Sequence, residues 1–183
     1  MVLGMHPRHR RLAVINLIGG PAVLASYAHG IATHEDPGRL WGSVPEAVQG
    51  LYTANMFFAA AGYLVFTWVL WRHVDPARAR TLGGREFGWF TRCYALLLTC
   101  STLWMPLSLY ALDDATPGVA AALWYVIWVD LGLVAAGSLG VLAGLARLEP
   151  RPRGCGLALA GAAFFCLQTV VLDFLIWPWF FAP

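Results

Sequence analysis

The chain has no lysine; all twelve of its basic Lys/Arg positions are arginine. Without an ε-amino group there is no Schiff base to retinal or to pyridoxal phosphate. Charge is scarce altogether, at 12% of residues, where ordinary soluble domains carry about 25%. The four cysteines (Cys93, Cys100, Cys155 and Cys166) form no C-x-x-C pair, which argues against a thiol–disulfide relay. They read instead as small hydrophobes in or at the ends of helices. The five histidines (His6, His9, His29, His34 and His73) avoid the middle of the long apolar stretches, so a bis-histidine haem between helices is excluded. No Gly-rich phosphate loop, zinc-protease motif or other metal-ligating cluster appears.

Apolar sequence fills the rest, at 59% of residues with a mean hydropathy of +0.63. A spanning helix needs about 20 mostly apolar residues. Five stretches qualify: Leu12–His29, Gly50–Trp71, Phe90–Leu112, Gly118–Ala146 and Gly154–Phe181. They leave little chain for a soluble domain. The expectation is an all-α integral membrane protein, one five-transmembrane-helix bundle over residues 1–183, with no internal repeat. The first stretch has the basic start (His6–Arg11) and the Ser26-Tyr27-Ala28 site of a signal peptide. Asn16 and Gly19-Gly20-Pro21 interrupt it, which favours a retained helix.

The arginines set an orientation. Eleven of the twelve fall before helix 1, between helices 2 and 3, or between helices 4 and 5; only Arg39 lies on the other side. That other side carries Glu35, Asp36, Glu46, Asp113 and Asp114. The positive-inside rule then puts the N-terminus inside and the C-terminus outside, and the arginines read as topology signals with no nucleic-acid partner. Trp71 and Trp89 fall near the inner interface, and Trp41, Trp124, Trp177 and Trp179 near the outer one, as an aromatic belt requires.

Two acids break the pattern. Asp130 and Asp173 lie inside helices 4 and 5, where a charge costs about 2.5–3.5 kcal/mol even on a lenient insertion scale. Such residues face a bundle interior or a wet cavity and are candidates for function. Asp130 is about 18 Å below the outer start of helix 4 at 1.5 Å per residue, and Asp173 about 6 Å below Trp177. Asn55, Trp104 and Pro106 also fall in the outer half.

Residues three or four apart share a helical face. One stripe on helix 5 holds Cys166, Thr169, Asp173, Trp177 and Phe180. Helix 3 has Leu97, Cys100, Ser101, Trp104 and Ser108, and helix 2 has Tyr52, Asn55, Met56, Ala59, Tyr63 and Phe66. Each stripe mixes small, aromatic and polar residues, which suits tight packing or the wall of a flat-ligand pocket. On helix 4, Trp128 points away from Asp130, and Ala136, Gly140 and Gly144 form a small-residue ridge for a helix or dimer contact. The 30–49 connection carries His34, Arg39, Trp41 and Pro45 over the polar mouth, as a lid would.

In order and spacing these residues resemble the tryptophan-rich sensory protein / translocator protein family. The resemblance rests on Trp41, Pro45, Leu51-Tyr52, Ala59 and Tyr63, then Trp104-Met105-Pro106-Leu107, Val129-Asp130-Leu131, and Leu172-Asp173 followed by Trp177. Departures are Trp41-Gly-Ser-Val-Pro45 for Trp-x-Pro-Pro, Ser101 and Asp173 where the family has Asn, and Val48 in place of a Trp associated with porphyrin photochemistry. The cholesterol-recognition segment of eukaryotic members has no counterpart. The resemblance implies a dimer with an intrabundle pocket that takes a tetrapyrrole such as a porphyrin or haem, or another flat hydrophobic ligand. Trp41, Tyr52, Asn55, Trp104 and Trp177 would supply stacking, and Asp130 and Asp173 polar anchoring. Two other functions fit the same residues: an intramembrane lipid or sterol isomerase using the two acids, and a structural or assembly subunit. Arginine-only, Ala/Gly-rich usage points to a bacterial source, and hence to an inner membrane.

Overall fold

A long apolar stretch in lipid must satisfy its backbone internally, and helix is the local way to do so. A computed structural model describes residues 6–113 and 116–181. Among them, five helices are long and apolar enough to cross a membrane. They are α1 (Pro7–Thr33), α2 (Glu46–Arg72), α3 (Gly88–Asp113), α4 (Pro117–Ala146) and α5, which begins as α-helix over Cys155–Cys166. The chain is therefore a multi-pass integral membrane protein. Asp114, one of the acids placed at the outer end, lies outside the described residues.

Two expectations need correction. The first four helices extend beyond the apolar cores read from sequence, by up to five residues at an end, so the first connection shortens from 30–49 to 34–45. Hydropathy sees only the part that lipid requires. His6 accepts from the Arg8 amide at the start of α1, and Pro45 stands at the N-cap of α2. The second correction is in α5, where residues Leu167–Ile176 follow a π-helix and Trp177–Trp179 a 3₁₀ turn.

Helix α3 packs on α1 and on α4, α4 on α5, and α5 on α2. Tyr63 of α2 donates to Asn16 of α1, closing the order α1–α3–α4–α5–α2. Glycines permit the close crossings. Cβ atoms at Gly62 of α2 and Gly161 of α5 would each collide with the other's backbone. On α4 the small-residue ridge is Gly137, Gly140 and Gly144, which receives Cys93, Leu97 and Phe90 of α3. Gly140 and Gly144 thus make an intrachain helix contact, while Ala136 is exposed and lies off the ridge.

The two ends are built differently. At the arginine-rich end, Arg8 donates to Glu86 and to Pro76 O (2.9 Å), and the Arg80 and Glu149 backbones exchange two hydrogen bonds of 2.8 Å. Val74, Ala79, Phe87 and Leu148 are buried beneath these connections. At the opposite end a 3₁₀ turn over Pro37–Trp41 crosses the bundle mouth. Its Leu40, with Val44, joins Tyr52, Met105, Ile127, Leu131, Trp177 and Phe181 in one apolar cluster. A second cluster fills the arginine-rich half.

Candidate functional site

Between the two clusters the helices contribute polar side chains. Among the acids of the described residues Asp130 is the most buried by surface exposure, at 6%. It sits on α4 between Ile127, Leu131 and Val134, all buried, so helical periodicity carries it inward with them. The Cys100 thiol of α3 lies beside its carboxyl group. Its Oδ2 is fully buried and has no hydrogen-bond partner among the described residues.

Trp104 stands one turn along α3 from Cys100. Its ring meets Tyr27 edge-on at 5.7 Å and Trp177 at 5.8 Å. The Trp104 indole N–H is buried and also has no hydrogen-bond partner among the described residues. Trp177 is fixed on both sides, stacking on Phe181 at 4.2 Å and donating from Nε1 to Leu40 O at 2.8 Å. Trp41 meets Tyr52 edge-on at 5.8 Å, and Tyr52 Oη donates to Leu172 O at 3.0 Å. The half of the bundle opposite the arginine-rich end thus holds an aromatic cluster together with a buried carboxyl oxygen and a buried indole N–H that have no hydrogen-bond partner among the described residues.

Asn55 and Asp173 form a neighbouring network through a residue that sequence reasoning missed. Gln168 donates to Asp173 Oδ1 at 2.7 Å and accepts from Asn55 Nδ2 at 3.0 Å. In a π-helix the residue five ahead sits nearly overhead. Gln168 therefore reaches Asp173, whereas Thr169, placed with Asp173 by α-helical spacing, donates to Ser138 of α4 at 2.7 Å. Pro178 has no N–H to return to the preceding turn, and Phe174 O instead accepts from Trp128 Nε1 at 3.3 Å. Trp128 lies at the α4–α5 groove, on a different face from Asp130. Met56 is exposed and leaves the α2 stripe. Tyr27 of α1, not among the site residues expected from sequence, lies near both acids. A polar residue on the interior face of an otherwise apolar helix was the available signal for Gln168.

Replacing Gln168 with leucine strips Asn55 and Asp173 of their shared partner. Leaving buried polar groups unpaired costs about 1–3 kcal/mol, so the Gln168→Leu protein should melt at a lower temperature in detergent. An unchanged melting temperature would show that the network contributes nothing.

The connection over the mouth is tied down at several points. Arg39 donates to Asp113 and, at 3.1 Å, to Leu112 O. His34 Nδ1 lies 3.0 Å from Gly30 O, and its Nε2 is 3.7 Å from Asp113 Oδ2. The Ser43 amide and hydroxyl both donate to Phe180 O, at 2.9 and 3.1 Å. Gly42 has φ +54° and passes so close to the Phe180 carbonyl that a Cβ would overlap it. A cleft of about 490 Å³, lined by His34, Asp36, Arg39 and Asp113 among others, opens on this face. Pro45 is exposed at the start of α2 and does not line this cleft.

No family model, curated protein or solved structure matches the chain.

Proposed function

We propose that the protein is a membrane receptor or carrier of the translocator-protein type, holding a flat hydrophobic ligand of the tetrapyrrole class in the outer half of the bundle. The observation that carries this reading is that two buried groups in this half of the bundle have no hydrogen-bond partner among the described residues: Asp130 Oδ2, an acceptor, and Trp104 Nε1, a donor. Unpaired polar atoms in apolar surroundings are costly and uncommon in folded proteins. A ligand that carries both a donor, such as a pyrrole N–H, and an acceptor, such as a carboxylate, satisfies both. Tyr27, Trp104 and Trp177 offer ring edges and faces to a flat molecule. The Pro37–Trp41 turn covers the mouth, so entry requires the Arg39–Asp113 and Ser43–Phe180 contacts to open.

In this reading the arginine-rich end faces the cytoplasm of a bacterial inner membrane, the first helix is retained, and the protein works as a homodimer. The α4 glycine ridge is occupied within the chain, so the dimer uses another face.

Titrating the purified protein with protoporphyrin should quench its tryptophan fluorescence saturably. Asp130→Asn removes the anionic acceptor, and a hydrogen bond to a charged group is worth about 1.5–3 kcal/mol. Affinity should therefore fall about ten- to a hundred-fold. A flat titration with the native protein overturns the tetrapyrrole reading. Turnover of a sterol or lipid that Asp130→Asn abolishes would assign the site to an enzyme instead.

A further inference from the structure

The arginine-rich end has a feature that topology does not account for. A cleft of about 260 Å³ lies at the start of α3, lined by Gly84, Arg85, Glu86, Gly88, Trp89 and Arg92. Trp89 is held rigidly, since its Nε1 donates to Gly140 O of α4 at 2.8 Å. The Arg85 guanidinium rests 4.5 Å above the Trp89 ring. A cation stacked on a fixed indole is held in one orientation before any anion arrives.

The charge balance favours an anion. The ion pairs among the described residues use Arg8, His34 and Arg39, leaving Arg85 and Arg92 without a carboxylate. Glu86, the one acid lining the cleft, accepts from Arg8, which is not part of the lining. Cβ atoms added at Gly84 or Gly88 would meet nothing within 4 Å, so bare backbone faces the space and a ligand can approach closely. The first turn of α3 carries no acidic side chain, and its dipole end adds partial positive charge.

Positive-inside arginines need only be on the correct side of the bilayer; they need no cleft, no fixed aromatic and no mutual convergence. We infer that Arg85 and Arg92, on the Trp89 platform, form a binding site for a phosphate-bearing anion, the headgroup of an acidic phospholipid. Guanidinium forks match phosphate oxygens geometrically. Trp89 stands in the first turn of a spanning helix, the place where indole rings favour headgroups, and basic pockets at the ends of membrane helices suit anionic lipids.

The test is native mass spectrometry of the full-length protein released from detergent with phosphatidylglycerol or phosphatidylcholine of identical acyl chains. The native protein should retain phosphatidylglycerol about thirtyfold more strongly, in keeping with the attraction of two arginines near a surface. Arg85→Gln/Arg92→Gln should reduce retention to the phosphatidylcholine level. Arg151→Gln/Arg153→Gln removes the same charge outside the cleft and should retain the lipid as the native protein does. Equal retention of the two lipids by the native protein overturns the proposal, and that result does not depend on how any variant folds. Equal loss in both double variants also overturns it, by assigning the effect to bulk charge. Displacement of phosphatidylglycerol by millimolar inorganic phosphate makes the site one for the free anion and overturns the lipid assignment.

Discussion

Replacing Gly62 with valine should cost about 3 kcal/mol or more, the upper end of what overpacking produces, and should lower both melting temperature and the yield of folded protein. At this crossing of α2 and α5, a Cβ on Gly62 would overlap the Gly161 carbonyl oxygen and lie 2.9 Å from Gly161 Cα. Both obstructing atoms are backbone, so no side chain can rotate away; one helix must move. In lipid, helix association depends on van der Waals contact between close backbones and has little hydrophobic drive to compensate. Gly50 supplies the control on the same helix. A Cβ there meets nothing within 4 Å, so Gly50→Ala should be neutral or stabilise by about 0.5–1 kcal/mol. Similar melting temperatures for Gly62→Val and the native protein would disprove the close crossing.

Removal of the Trp177 side chain should be nearly as severe and should act at a different place. Trp177→Ala deletes the stack on Phe181, the edge contact with Trp104 and the hydrogen bond to Leu40 O. Large aromatic truncations in a packed core cost about 3–5 kcal/mol. Because Leu40 O is in the connection over the mouth, the loss should also loosen that connection. Limited trypsin digestion should then cut after Arg39, which the native protein protects through Asp113 and Leu112. Trp177→Phe keeps a ring but loses the indole donor, so it should cost about 1 kcal/mol and leave Arg39 largely protected. Equal protection of Arg39 in all three proteins would separate Trp177 from the closure of the mouth.

Much of the site was legible because depth and exposure follow from simple periodicities. The α2 residues Tyr52, Asn55 and Ala59 and the α3 residues Leu97, Cys100 and Ser108 are buried as their spacing predicts. The divergence of Trp128 from Asp130 follows from a two-residue offset on α4, and the structure has them on different faces. The failures cluster where the period changes. Over Leu167–Ile176 the backbone turns more slowly than an α-helix, so stripes drawn at three and four residues paired Asp173 with Thr169 and overlooked Gln168. The offset on α4 was smaller: Gly137 takes the place assigned to Ala136 beside α3.

The sequence by itself determined the membrane class and the five helices, because apolar length and the demand for backbone hydrogen bonds leave one solution. It also singled out Asp130 and Asp173, since an acid among aliphatic residues is visible without any fold. Only the tertiary structure decided what surrounds them. Asp173 is satisfied by Gln168 while Asp130 keeps a buried oxygen free. That difference depends on which helices meet and on the local turn of α5, and these are settled by contacts between residues far apart in the chain. The same holds for Gly62 and Gly161, and for Arg85 on Trp89, whose roles arise only when the helices close around each other.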